Sequence, residues 1–261
     1  MKIFHVDAFT SEPFSGNPAG VCILSHPKVD EWMRRVAAEM NLSETAFLIR
    51  AADGYNLRWF TPLVEVDLCG HGTLASAHIL WQEGLAGRDE KITFHTRSGV
   101  LTCTQEGEWI GLDLPATPDA EIAPPEGIAE ALGAVPLYVG ASRSDYIIEV
   151  DSEETVRGLT PDYARILGMP VRGVIVTSRA AAGEFDFVSR FFAPAVGVNE
   201  DPVTGSAHCC LGPFWGRRLG KEDLIARQVS RRGGVVKVHL AGDRGHLFGQ
   251  AVTVMGGEIG V

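Results

Sequence analysis

Apolar and polar positions alternate over residues 2–9, as in a half-buried strand, and strand-like runs return over 20–24, 46–50 and 56–60. Residues 30–40 change to a helical period. Trp32 or Met33, Val36, Ala37 and Met40 fall at that spacing, with Asp30 placed to cap the helix and Asn41 to stop it. This leaves Asn41-Leu42-Ser43-Glu44-Thr45 as a connection, so Glu44 is expected at a junction. After Pro62, a strand over 64–68 leads into the turn Cys69-Gly70-His71-Gly72-Thr73. A helix follows carrying Leu74, Ala75, Ala77, His78, Ile79 and Trp81, whose small residues suit a buried central position. Strands return over 91–114, with Glu106-Gly107 as a hairpin turn.

The proline-rich stretch 115–125 reads as a linker. Beyond it, strands are expected over 136–150, 173–178 and 185–192, a helix over 162–167, and a second turn with helix over 199–219. From 228 to 255 the pattern is that of antiparallel hairpins broken at Gly233-Gly234, Asp243-Arg244-Gly245 and Gly256-Gly257. Two tripeptides recur in the same order: Phe60-Thr61-Pro62 is echoed by Phe192-Ala193-Pro194, and Ser76-Ala77-His78 by Ser206-Ala207-His208. The offset is about half the chain, which points to duplication. The expected fold is therefore α+β with few helices, in two similar halves, residues 1–114 and 115–261.

Composition narrows the function classes. With 261 residues and 45% apolar content the chain has enough material for one large core or two modest ones. A formal charge of −10 opposes binding to nucleic acid and to anionic membranes, and the short basic runs at Arg34-Arg35, Arg217-Arg218 and Arg231-Arg232 read as solvated surface. The N-terminal residues alternate rather than forming a continuous apolar stretch, and no segment has the length of a membrane span, so a cytoplasmic location is expected. The five cysteines, Cys22, Cys69, Cys103, Cys209 and Cys210, include no CxxC pair, so neither a disulfide framework nor a zinc ribbon is indicated.

Two turn-to-helix junctions, Gly70-His71-Gly72-Thr73 and Val203-Thr204-Gly205-Ser206, would present free backbone N–H groups at the positive end of a helix dipole. If the halves face one another, both junctions converge on one cleft and hold a carboxylate or a developing enolate. The plainer reading is that the glycines permit tight turns and that Thr73 and Ser206 cap helices. Read singly, Glu44 is more readily a charged loop residue or helix-end contact than a catalyst, His71 a turn residue, and Asp201 a turn or cap residue.

Gly16-Asn17-Pro18, Met40-Asn41-Leu42-Ser43-Glu44-Thr45, Phe60-Thr61-Pro62, Leu68-Cys69-Gly70-His71-Gly72-Thr73 and Glu200-Asp201-Pro202-Val203-Thr204-Gly205-Ser206-Ala207 stand in an order covering both halves. In these segments the chain resembles the PhzF-like phenazine-biosynthesis family, which shares its fold with diaminopimelate epimerase. The resemblance implies two pseudo-symmetric α+β domains, each a curled, mostly antiparallel sheet around a central helix, with a site in the cleft between them. It implies a cofactor-independent isomerase in which Glu44 is the acid/base, with His71 and Asp201 beside it. Asn17, Gly70 and Ser206 are implied to hold a small carboxylated substrate, together with the junction residues Gly72, Thr204 and Gly205, and the assembly is implied to be a homodimer. A carboxyl group partly shielded from water suits proton relocation, because it both gives and takes back a proton near neutral pH.

The chain departs from the epimerases of that fold, which resemble one another in using two thiols. Cys69 stands where the first belongs, but Asp201-Pro202 is read at the place of the second, and Cys209 and Cys210 fall too far into the following helix. An epimerase using Cys69 and a non-catalytic binding protein remain as alternatives. No G-x-S-x-G or Walker-type glycine loop occurs, which disfavours a serine hydrolase or nucleotide use, and a metal site of Cys69, His71 and Asp201 matches no usual ligand set.

Overall fold

The period-two segments become strands whose pairing order is the same in both parts of the chain. The computed structural model describes residues 1–87, 90–181 and 183–260, which form two compact units: residues 1–114 with 248–261, and residues 115–247. The architecture is mixed α+β, with few helices and mostly antiparallel sheet.

In the first unit, β1 (Lys2–Ala8) pairs antiparallel with β2 (Asn17–Leu24), and β2 pairs parallel with β3 (Glu44–Ala51) through α1 (Asp30–Met40). β3 then pairs antiparallel with β4 (Gly54–Phe60), which carries the short β5 (Glu65–Val66). The central helix α2 (Gly70–Gln82) leads to β6 (Ile92–Thr96), parallel to β4, and then to β7 (Gly99–Glu106) and β8 (Trp109–Pro115). The helical period over 30–40 has the expected effect: Met33, Val36 and Ala37 bury against Ile3, Leu24, Phe47 and Phe60. Asn41 ends α1 in the left-handed conformation, but Asp30 lies inside the first turn rather than capping it, and its carboxylate pairs with Arg58 at 2.8 Å. Leu74, Ile79 and Leu80 of α2 are fully buried, each contributing roughly 1.5–3 kcal/mol.

The second unit repeats that order. β9 (Ala120–Glu121), α3 (Ile128–Leu132), β10 (Tyr138–Ala141) and β11 (Asp145–Glu149) come first, so the stretch 136–150 is a hairpin rather than one strand, and the proline-rich linker contains a short strand. After α4 (Glu153–Gly158) and α5 (Tyr163–Leu167), β12 (Gly173–Arg179) pairs parallel with β11 and antiparallel with β13 (Phe187–Ala193). β14 (Val198–Asp201), α6 (Gly205–Leu219), β15 (Asp223–Gln228), β16 (Gly234–Ala241) and β17 (Arg244–Gly249) follow, with β15 parallel to β13. Pairings β10–β11, β11–β12, β12–β13 and β13–β15 thus repeat the senses of β1–β2, β2–β3, β3–β4 and β4–β6.

Two details refine the expected halves. The last strand, β18 (Ala251–Glu258), pairs antiparallel with β1, so the chain end belongs to the first unit instead of extending the second to 261. β9 pairs in the same way with β10, so β1 and its counterpart β10 each carry a further antiparallel partner. The Phe-x-Pro echo falls at the ends of the equivalent strands β4 and β13, but the Ser-Ala-His echo is out of register: Ser76 lies in the second turn of α2 and Ser206 in the first turn of α6. Helix starts make Gly70 the counterpart of Gly205. α6 tolerates Pro213 because the carbonyl of Cys209, four residues earlier, accepts from Thr117 N–H at 3.0 Å.

Candidate active site

The N-terminal ends of β2 and β3 and the start of α2 hold the polar cluster of the first unit. In the β1–β2 loop, Phe14 N–H donates to the buried carboxylate of Asp7 at 2.7 Å, and Gly16 turns with φ +66°. A Cβ at Gly16 would lie 2.2 Å from the Ala8 carbonyl oxygen, so the turn that presents Asn17 requires glycine. Glu44 is the first residue of β3, opposite Ala19 of β2, and not part of a loop: parallel pairing draws the predicted junction into the sheet. The pairing fixes its backbone, while the side chain keeps 19% of its surface exposed.

His71, the second residue of α2, is buried. Its Nε2 lies 3.0 Å from Glu44 Oε2 and its Nδ1 lies 3.3 Å from the Asn17 amide. Burial by itself lowers the pKa of this imidazole, but Cys69 and Glu44 beside it reverse the effect and hold it well above 6.5. The Asn17 atom that faces Nδ1 is its amide nitrogen, a donor, which suits an imidazole whose Nδ1 accepts; a cationic ring needs this amide turned to present its oxygen. Glu44 Oε2, although close, has no aligned hydrogen-bond partner among the described residues.

Cys69, not Thr73, is the N-cap of α2: its Sγ accepts from Gly72 N–H at 3.3 Å and lies 3.6 Å from His71 Nδ1. Burial pushes this thiol up, and Glu44 adds to the rise, against the lowering by His71 and the Gly72 N–H. Gly72 has no room for a side chain, since a Cβ would meet Trp59 Cδ1 at 2.8 Å and Cys69 Sγ at 3.0 Å. The N–H of Gly72 is therefore spent on Cys69, and helix geometry leaves those of Gly70 and His71 without a partner inside α2.

The second unit builds its own cluster at the start of α6. The N-cap is Thr204, the counterpart of Cys69, rather than Ser206 or the expected Asp201-Pro202. Thr204 Oγ1 donates to Asp201 Oδ2 at 2.5 Å, and Thr204 N–H donates to Gln228 Oε1 at 2.9 Å. Gln228 Nε2 in turn donates to the Asp201 carbonyl at 2.7 Å, so this amide braces the whole junction. Ser206 Oγ accepts from Arg172 at 3.0 Å, and Arg172 forms a fork with Asp145 at 2.9 and 2.5 Å. The N–H groups of Gly205 and Ser206 have no partner inside α6.

The structure thus gathers Asn17, Glu44, Gly70, His71 and Gly72 in one unit and Asp201, Thr204, Gly205 and Ser206 in the other. Arg172 and Gln228, which organise the second cluster, lie in none of the motifs, and the hairpin pattern that begins at residue 228 carries no sign of a site. A basic residue directly before a strand was the one available signal for Arg172.

Comparison with known proteins gives consistent matches. The profile of the PhzC-PhzF family, described as phenazine biosynthesis-like protein, matches residues 6–257. A protein of Halalkalibacterium halodurans named an uncharacterized isomerase is 55% identical over 98% of this chain and 97% of its own length. An isomerase so named in Pseudomonas aeruginosa is 48% identical over 99% of this chain and 98% of its own. The crystal structure of a PhzF-family phenazine biosynthesis protein from Enterococcus faecalis superposes with a TM-score of 0.96 at 39% identity, covering 100% of this chain and 99% of that one.

Proposed function

Because this chain belongs to the PhzC-PhzF family of phenazine biosynthesis-like proteins and is an isomerase, we propose that it relocates a hydrogen within a small carboxylated substrate, with Glu44 carrying the proton. The observation that carries this reading is the setting of Glu44: backbone-fixed in β3, partly exposed, and 3.0 Å from a buried imidazole. Cationic His71 orients the carboxylate, and the proton that Glu44 takes from one carbon is returned to another on the same face. The N–H groups of Gly70 and His71 favour negative charge developing on the substrate. In the second unit, Ser206 and the start of α6 favour a carboxylate in the same way, and Asp201 is held in place by Thr204. No step requires a cofactor.

Small carboxylates and cyclic amino acids are the compounds to screen first by thermal shift, since a ligand of the native state raises the melting temperature. A true substrate incubated in D2O should exchange or move hydrogen with retained configuration. A ligand that stabilises the protein but neither exchanges nor converts would make the chain a binding protein instead.

A second reading has one observation in its favour, the 3.6 Å approach of Cys69 Sγ to His71, which suits an epimerase with a thiol base. It lacks a second thiol, since the counterpart of Cys69 is Thr204. Cys69→Ser should therefore keep most turnover; loss of turnover with the fold intact would favour the epimerase.

A further inference from the structure

Three donors of different chemistry meet at the start of α2: the Cys69 thiol, the His71 imidazole and the Glu44 carboxylate, with ligand atoms all within 4.8 Å of one another. We propose that Glu44, Cys69 and His71 also form a binding site for a thiophilic divalent cation of the Zn2+ type, which silences the enzyme by taking Glu44 as a ligand.

Geometry supports the assignment. A tetrahedral Zn2+ holds sulfur at about 2.3 Å and nitrogen or oxygen at about 2.0–2.2 Å, which places such ligands roughly 3.4–3.6 Å apart. The observed separations, 3.0 Å for His71 Nε2 to Glu44 Oε2 and 3.9 Å for His71 Nε2 to Cys69 Sγ, lie either side of that spacing. Small side-chain adjustments close the set. Glu44 Oε2 is shielded from solvent and has His71 Nε2 as its neighbour at 3.0 Å, a contact that a cation held by both side chains would replace.

The surroundings match those of metal ligands. Asn17 lies 3.3 Å from Nδ1 of His71, where it fixes the ring with Nε2 towards Glu44, and Gly72 N–H steadies the sulfur at 3.3 Å. The donor set of sulfur, nitrogen and one carboxylate selects Zn2+ over Mg2+ or Ca2+, which prefer oxygen. Thiolate and carboxylate together balance the charge of the cation, and Glu44, with 19% of its side chain exposed, is the ligand nearest to solvent. Binding displaces the protons on His71 and Cys69, so affinity rises with pH. A ligated Glu44 no longer exchanges protons, which makes the cation an inhibitor in competition with the proton.

Co2+ serves as the probe, because thiolate ligation gives it a charge-transfer band in the near ultraviolet that no other ligand here produces. Titration of the whole protein with CoCl2 should develop that band at one equivalent, and ZnCl2 should abolish it by displacement. Cys69→Ser should remove the band, and Glu44→Gln, which keeps the thiol and the shape, should weaken Co2+ binding by about tenfold or more. Circular dichroism checks that both variants are folded. Absence of the band in the wild type, its persistence in Cys69→Ser, or unchanged affinity in Glu44→Gln would each overturn the proposal. None of these readouts depends on turnover, so the isomerase reading stands or falls separately.

Discussion

Replacing His208 by glutamine removes a histidine that the fold keeps neutral well below its ordinary range. The ring is fully buried in α6 and stacks on Phe187 with centroids 6.1 Å apart. Nδ1 lies 2.8 Å from the Thr204 carbonyl and so carries the proton, while Nε2 is buried without a partner among the described residues. Burial lowers the pKa to about 4, against a partial rise from the bond to Thr204. In the unfolded chain the same group titrates near 6.5. Between these values the unfolded state binds a proton that the native state refuses, so stability is lost as pH falls below about 6.5 and the loss levels off below about 4. A difference of roughly 2.5 units corresponds to about 3 kcal/mol, of which about 2 kcal/mol is lost between pH 7.5 and 5.0. Urea unfolding of the wild type and His208→Gln at those two pH values isolates the effect, since the other titrating groups are common to both. The wild type should lose about 2 kcal/mol more than the variant. Equal losses would refute the reasoning.

Gly16→Ala forces a side chain into a left-handed turn and against the Ala8 carbonyl, and should cost roughly 1–3 kcal/mol in urea unfolding; a cost below about 0.5 kcal/mol would contradict the strain argument. Arg172→Met leaves the carboxylate of Asp145, only 6% exposed, without its ion-pair partner. Because the Arg172 side chain is itself 35% exposed, the loss should be about 1–3 kcal/mol, and adding Asp145→Asn should recover part of it in a double-mutant cycle. His71 acts in the opposite sense to His208. Its raised native pKa gives stability that is present below about pH 6.5 and lost as pH rises through the native value, so His71→Gln should flatten the alkaline limb of the stability profile.

Local signals in the sequence were reliable where the structure they specify is local. The helical period of α1 and the left-handed stop at Asn41 are properties of one segment, and they appear as expected. The duplication was also legible, but its alignment was not: Ser-Ala-His repeats by sequence, while the pairing order aligns Gly70 with Gly205 and Cys69 with Thr204. The pattern puts Glu44 at a junction because nothing nearby reveals that β2 pairs with β3 and lengthens it. The return of β18 to β1 is equally invisible locally, being a contact between the two ends of the chain. Arg172 and Gln228 owe their positions to hydrogen bonds with residues distant in sequence. The motifs thus named the residues that the two helix starts gather, but not the hydrogen-bond network that braces them.

The central claim is that one carboxyl group, that of Glu44, carries the proton, and Glu44→Gln tests it most directly. The amide keeps the size and the hydrogen-bonding reach of the side chain but exchanges no proton. Once a substrate is identified by the ligand screen, hydrogen relocation in D2O is followed by NMR for the wild type and the variant, alongside the dissociation constant of each. The variant should bind nearly as the wild type does, while turnover falls by roughly a hundredfold to ten-thousandfold. Turnover near the wild-type rate, with binding intact, would contradict the account and pass the proton to His71.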